Sequence, residues 1–492
     1  LHNGLVPTNR RRNVRIGATP FSDPRQLDAI DELLREKPDE IAYHFGRACC
    51  LEDLGRIDDA LQAYVAVLNR EPTHFGGLTN LGSLLFERGL TAQARPYVSA
   101  AAALYPRDPV TQVNLGLLHA AAGDADAAVA AYNAALEVKP DFLHAHLGLA
   151  ALYTQFDDAE RAQQHLDRAY AEPKAWSLPY RGSVPPLQVL LLVSAFGGDM
   201  VTNLFFDDEV VQKCVLLADS VQGELSIPPY HVLFNAIGDA DRCRASLERA
   251  VAIAAASPAA IINDPAKVLR TGRVETMRRL QGVYGARVPR TERIARDGLT
   301  ADGLLQRGFT FPLLLRSPGH HSGDHFAVVT APEALADVAA TLPGRDLLAI
   351  EYLDARGADG DVRKYRVVAL NFPVHLAIAP QWKVHYYSAA MSDRLDHRAE
   401  EAAFLEDMPA VVGERGVRAL RAICATMDLD YAGVDFGLDG QGTILVFEAN
   451  ATMAVYPPEA GASWGSRRRA VDRVITAVRE MLVTRAKTIG YV

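Results

Sequence analysis

Cysteine is scarce: the 492 residues hold five, Cys49, Cys50, Cys214, Cys243 and Cys424, and none forms a C-x-x-C pair. An odd, unpatterned set excludes a small disulfide scaffold and fits reduced thiols in the core, with a cytoplasmic compartment expected. Long apolar runs are missing too. The most apolar short stretch, Val189 to Val193, is far below the ~20 residues that cross a membrane as a helix. Positive charge is not in excess: Lys plus Arg is 51 against 60 Asp plus Glu, a net −9. That leaves no overall basis for a nucleic-acid or anionic-membrane partner. Arg467-Arg468-Arg469 reads as a solvated basic end. Residues 1–21 are read as a tail: Leu1 to Arg15 is basic, lacks an apolar stretch and shows no signal-peptide pattern.

What is present is an ordinary globular composition, 49% hydrophobic and 23% charged. The first third carries a period. Gly55, Gly89 and Gly123 recur every 34 residues, as do Pro38, Pro72, Pro106 and Pro140, and Ala60, Ala94, Ala128 and Ala162. Three series in fixed offset describe a helix pair per unit. Ala48, Gly82, Gly116 and Ala150 are small residues on the first helix, where the second packs closely. The glycines mark the turn between helices, and the prolines end the second helix. This pattern resembles the tetratricopeptide repeat, with units at about 41–74, 75–108, 109–142 and 143–176 and a degenerate leading helix in 22–38. Asp157 replaces the turn glycine in the last unit. Such stacks bury one continuous core and leave a concave surface. The array either binds a peptide or protein, or only stiffens or dimerises the chain.

A Pro-rich break, Pro173 to Pro186, separates a second region that reads as α/β. Strands are expected at Gln188 to Ser194, Tyr230 to Phe234 and Ala260 to Ile262. Helices are expected at Asp207 to Asp219 and Ala245 to Ala256, giving a parallel sheet. Farther on, a helix is read at Val274 to Leu280 and strands at Phe311 to Arg316, Leu347 to Leu353 and Asp361 to Val368. A hairpin joins Gly433-Val434-Asp435 to Ile444 to Asn450 through Asp439-Gly440-Gln441-Gly442.

Strand alternation puts Glu448 and Asn450 on one side, with Asp435 across the hairpin. Three hard oxygen donors there suit Mg²⁺. The loop Gly319, His320, His321, Ser322, Gly323 follows a strand that ends in Arg316. Its glycines let backbone N–H groups wrap phosphate, and Arg316 supplies charge. No Gly-Lys-Ser/Thr follows, so this is not a Walker A loop.

In order along residues 186–492 these pieces resemble the ATP-grasp ligases, in the branch of glutathione synthetase and the ribosomal-protein-modifying ligases. The resemblance implies a three-subdomain α/β ATP-grasp fold behind an all-α repeat solenoid. The expected divisions are 22–178 for the repeats, 179–265 for a leading α/β domain and 266–492 for the ATP-grasp domain, with a lid at about 290–352. Asn263-Asp264-Pro265 resembles the start of the first subdomain. Where the family has two nucleotide lysines, Arg273 and Arg316 stand here. Glu351-Tyr352-Leu353 resembles the hinge that grips adenine. Arg363, in Gly360-Asp361-Val362-Arg363, matches the arginine that meets the transferred phosphate. Asp435, Glu448 and Asn450 match the magnesium triad. Lys383 and His385, in Trp382 to Ser388, lie where relatives place substrate-facing residues.

The implied cofactors are ATP and Mg²⁺. The implied chemistry activates a carboxylate as an acyl phosphate and joins it to an amine. Three functions stay open at this point: a ligase for small molecules or peptides, a protein-modifying ligase whose repeats recruit the target, and a non-catalytic nucleotide-binding scaffold. A homodimer is compatible with each.

Overall fold

The structure is a computed structural model. It describes residues 24–53, 56–87, 90–156, 158–171, 175–178, 180–202, 204–221, 227–318, 325–342, 344–357, 359–360, 362–370, 372–378, 395–453, 455 and 465–488. The chain divides into two compact units, 1–172 and 173–492.

The first unit is helical. A leading helix, α1 (Pro24–Glu36), precedes four helix pairs: α2 (Ile41–Asp53) with α3 (Ile57–Arg70), α4 (Phe75–Glu87) with α5 (Thr91–Leu104), α6 (Pro109–Ala121) with α7 (Ala125–Val138), and α8 (Leu143–Gln155) with α9 (Ala159–Ala169). The starts of the paired helices step by 34 residues, as the sequence period requires. Asp108, Asp124 and Asp158 cap α6, α7 and α9 by accepting from the N–H three residues on. Gly123 turns at φ +79°, a conformation that side chains disfavour. Gly55, Gly89 and Asp157 lie outside the described residues.

Small residues on the first helix make room for large ones on the second. Tyr132 on α7 is 1% exposed. A Cβ on Gly116 or on Gly148 would come within 2.6 Å and 2.5 Å of its ring. The phenol thus wedges between α6 and α8 and joins consecutive units into one core with Leu117, Leu118 and Leu149.

The second unit has three sheets. The first contains β1 (Ala175–Ser177), β2 (Leu187–Val193), β3 (Val211–Leu217), β4 (Val232–Asn235) and β5 (Ala260–Ile262), in the order β1-β3-β2-β4-β5. β2 runs parallel to β3 and β4, and β4 to β5. α10 (Arg244–Ala255) makes the crossover from β4 to β5. The expected helix at 207–219 is corrected to a strand. Val211, Cys214, Val215, Leu216 and Leu217 are buried beside β2, and β-branched valines in a buried parallel pairing outweigh the helical pattern.

Next come α11 (Pro265–Val268), α12 (Arg273–Leu280) and β6 (Ala286–Arg287). The second sheet is antiparallel: β7 (Thr291–Ala295), α13 (Ala301–Gln306), β8 (Leu313–Arg316), β9 (Phe326–Val329), α14 (Leu335–Ala340) and β10 (Asp346–Glu351) give strand order β7-β10-β8-β9. It has its own core around Phe309, Leu315 and Leu347. The third sheet contains β11 (Tyr365–Leu370), β12 (Phe372–Ile378), β13 (Tyr431–Leu438) and β14 (Ile444–Asn450), in the order β12-β11-β13-β14-β6. α15 (Leu395–Glu406), α16 (Met408–Met427) and α17 (Gly465–Lys487) complete the unit.

Two joints tie the first sheet to the third. Asn263, at φ +53°, donates to the Tyr431 carbonyl at 3.1 Å and accepts from the Tyr431 N–H at 2.8 Å. Asp430 accepts from the Asn263 N–H at 2.8 Å and pairs with Arg485 of α17.

Tyr132→Ala is expected to lower stability by about 3–5 kcal/mol, the usual cost of emptying a buried aromatic site. Urea unfolding followed by helical circular dichroism reads it, and a loss near zero would place Tyr132 outside the core.

Candidate functional site

The β13–β14 hairpin builds the site. Asp435 on β13 pairs directly with Glu448 on β14, and Arg366 on β11 pairs with Asp435 from the other side. Side chains directly opposite in an antiparallel pair lie close, and like charges there repel. A register shift after Asp435 leaves Phe447 without a partner residue, a bulge beside the acidic pair.

Asp435 is 1% exposed. Its Oδ1 accepts from Arg366 Nε at 2.6 Å and its Oδ2 from Arg366 Nη2 at 2.9 Å, a bidentate pair. Lys364 also reaches Oδ2. Burial alone would raise the acid's pKa, but Arg366 and Lys364 outweigh it and hold the group below the usual carboxylate range. Glu448 Oε1 accepts from Arg273 Nη2 at 2.5 Å and from Asn450 Nδ2 at 2.8 Å. Asn450 Oδ1 accepts from the Thr452 N–H and hydroxyl.

Glu448 and Asn450 border an open cavity where the three sheets meet. Arg273, Arg316 and Ser317 line it with Glu448, Asn450 and Thr452. The turn after β4 closes one side. A Cβ on Gly238 would lie 2.6 Å from the Thr452 methyl, and Asp241 accepts from the Arg273 N–H at 2.7 Å. Arg316 ends β8, is 7% exposed and lies over the Phe326 ring.

The hairpin therefore brings Asp435, Glu448 and Asn450 together, with Arg273 and Arg316 nearby. Arg363 is placed elsewhere. It pairs with Asp359 and with Glu400 of α15, the helix that also carries Phe404 against Tyr365. Period-two alternation sends Arg363 and Tyr365 to that helix, and Lys364 and Arg366 to the acids. The signal that would find the two cations at the acidic pair is the alternation of Arg363-Lys364-Tyr365-Arg366, which puts Lys364 and Arg366 on one face. Gly238 and Asp241 carried no comparable signal.

Glu351 accepts from Arg287 Nη2 at 2.6 Å and from the Arg290 N–H at 3.1 Å, which ties β10 to the segment before β7. Tyr352 is half-buried, and Leu353 packs with Ala355, Val362 and Leu445. Gly319, His320, His321, Ser322, Gly323, Lys383 and His385 lie outside the described residues.

Among the described residues, no three His, Cys, Asp or Glu side chains gather as metal ligands. Asp435, Glu448 and Asn450 form a smaller set of two carboxylates and a carboxamide. Glu448 and Asn450 face the cavity, while Arg366 and Lys364 hold both oxygens of Asp435; a carboxylate there fits Mg²⁺, which commonly takes one or two carboxylates and completes its shell with water and phosphate.

A second buried acidic group sits at the end of β2. Asp199 accepts from the Ser194 N–H at 2.9 Å. Asp219 accepts from the Ala195 N–H at 3.0 Å and from the Ser246 hydroxyl at 2.5 Å. Burial, reinforced by the charge of Asp219, pushes Asp199 up to about 7.

Tetratricopeptide-repeat profiles match residues 45–109 and 119–174. Two curated plant proteins of Arabidopsis thaliana are similar. Protein CTR9 homolog is 28% identical over 124 residues, 25% of this chain and 11% of that protein. TPR repeat-containing thioredoxin TTL4 is 26% identical over 123 residues, 25% of this chain and 17% of that protein. The chain thus spans under a fifth of the length of either relative. Among solved structures, MamA 41-end from Desulfovibrio magneticus RS-1 is 22% identical, with a TM-score of 0.28, covering 30% of this chain and 82% of that one. The N-terminal region carries tetratricopeptide repeats. No helix among the described residues is long and apolar enough to cross a membrane.

Asp199 is protonated in the folded state up to about pH 7, whereas an unfolded aspartate loses its proton near pH ~3.9. Its contribution to stability is full below that lower value and is lost as pH rises toward 7. Asp199→Asn is therefore expected to raise the thermal midpoint at pH 8 and to flatten its fall between pH 5 and 8. An unchanged profile would mean that Asp199 is already charged in the folded protein.

Proposed function

We propose that residues 173–492 form an ATP-dependent carboxylate–amine ligase of the ATP-grasp type, and that the repeats bind a peptide or protein. One observation carries the enzymatic reading: Glu448, one member of a cross-strand acidic pair, and the neighbouring Asn450 carboxamide line a cavity that also holds two guanidinium groups. Carboxylates for a hard cation beside arginines for phosphate are what binding of a metal-bound polyphosphate requires. The division into a mostly parallel sheet, an antiparallel sheet with its own core and the sheet that carries the hairpin supports the same reading.

In this reading Arg316 and Arg273 hold phosphate oxygens. Asp435, Glu448 and Asn450 would hold Mg²⁺, which when bound offsets charge on the β- and γ-phosphates. Arg366 and Lys364 keep Asp435 ionised and oriented. A substrate carboxylate oxygen attacks the γ-phosphorus, the bond from that phosphorus to the β–γ bridging oxygen breaks, and ADP leaves. The amine then attacks the carbonyl carbon of the acyl phosphate, inorganic phosphate departs and the amine loses a proton. Water would hydrolyse the acyl phosphate, so excluding water serves the chemistry. Lys383 and His385 remain proposed substrate contacts.

Tetratricopeptide repeats point to peptide or protein binding, which supports a protein or peptide acceptor recruited by residues 22–178. Deleting those residues separates the two ligase forms: unchanged turnover leaves a small-molecule ligase.

ATP with Mg²⁺ is expected to raise the thermal midpoint in a concentration-dependent way. Arg316→Met should weaken that response by about tenfold or more in nucleotide affinity, the worth of a charge-assisted contact. Screening carboxylate and amine pairs for ADP release completes the test. Glu448→Gln should lower that turnover by at least about a hundredfold. No midpoint shift at millimolar nucleotide would reject the reading.

A further inference from the structure

Glu448 offers one oxygen, Oε1, to both Arg273 and Asn450. The Arg273 and Glu448 side chains are 12% and 20% exposed, so solvent screens their pairing only in part. The backbone of Arg273 is pinned. Arg273 is the first residue of α12, and its N–H donates to Asp241 Oδ2 at 2.7 Å. The preceding Gly272 approaches so closely that a Cβ there would lie 2.9 Å from Asp241 Oδ1. The side chain is therefore anchored at its base, and its guanidinium alone can change partners. Glu448 stands on the same cavity wall, and Arg316 and Ser317 border the same space.

A divalent cation bound by Glu448 competes for the charge that now holds Arg273. Two cations on one carboxylate repel, and the guanidinium is the one attached to a flexible stem. We propose that Arg273 is a built-in counter-ion of Glu448 which a divalent cation displaces, and that the released guanidinium joins Arg316 to meet the phosphates of the nucleotide. This deepens the ligase reading of the same cavity and rests on it. One side chain then couples the two ligands. Metal frees Arg273 for phosphate, and phosphate draws Arg273 away from the metal's carboxylate. Such coupling is reciprocal by linkage.

The test measures binding to the full chain by calorimetry, with no turnover involved. The probes are Mn²⁺ alone and ADP without metal. The proteins are the parent, Arg273→Gln, Glu448→Gln and the double variant. Arg273→Gln should bind Mn²⁺ about tenfold more tightly, because a charge-assisted hydrogen bond no longer competes. Glu448→Gln should bind metal-free ADP several-fold more tightly than the parent, and the double variant should lose that gain. If Arg273→Gln does not fold, Arg273→Lys replaces it, with a smaller tightening expected for a point charge without the planar fork. Unchanged or weaker Mn²⁺ binding in the folded Arg273 variant overturns the displacement. So does metal-free ADP affinity that Glu448→Gln leaves unchanged. Failure of the ligase reading has another signature: Mn²⁺ affinity that Glu448→Gln does not reduce, or no ADP binding to the parent even with Mn²⁺.

Discussion

Two carboxylates face each other across one antiparallel strand pair, and one of them is almost completely buried. Burial and mutual repulsion both oppose keeping them charged. The C-terminal unit answers with cations brought from distant parts of the chain: Lys364 and Arg366 from β11, and Arg273 from the start of α12. Removing one member of such a buried set leaves charge without compensation, which costs more than the set itself contributes. The start of α12 and β11 are therefore held to the hairpin. The same arrangement shapes the cavity, because Arg273 and Glu448 belong both to the ion-pair network and to the cavity wall.

The seam between the first and third sheets has the same character. It is made of close backbone approaches and specific hydrogen bonds. Gly238 admits Thr452, and Asn263 adopts a left-handed backbone while its side chain completes the hydrogen bonding of Tyr431. Thr452 in turn holds the carboxamide oxygen of Asn450. Packing at the seam thus sets the orientation of a group that faces the cavity. The repeat unit obeys a different constraint. Each helix pair buries its apolar face only against its neighbours, so size complementarity such as Gly116 and Gly148 against Tyr132 is repeated along the stack.

Local patterns were legible where one period decided the outcome. The 34-residue step located the helix pairs, and the turn residues between Asp435 and Glu448 located the hairpin. Alternation placed Glu448 and Asn450 on one side. The reading failed where two periods competed. Residues 207–219 carried a helical pattern, but their valines found a buried place beside β2. Arg363, matched by its place in the motif, pairs with Glu400 of α15, where the strand's alternation sends it.

The sequence by itself determined the repeat architecture and the strand hairpin. Those follow from periodicity and residue type, which are properties of neighbours along the chain. Only the tertiary structure decided which cation pairs with which acid. Arg273 and Glu448 are 175 residues apart, and Arg366 and Asp435 are 69 apart. No local period connects such positions. Their pairing follows from sheet register and from the low-dielectric surroundings that make an unpaired charge costly.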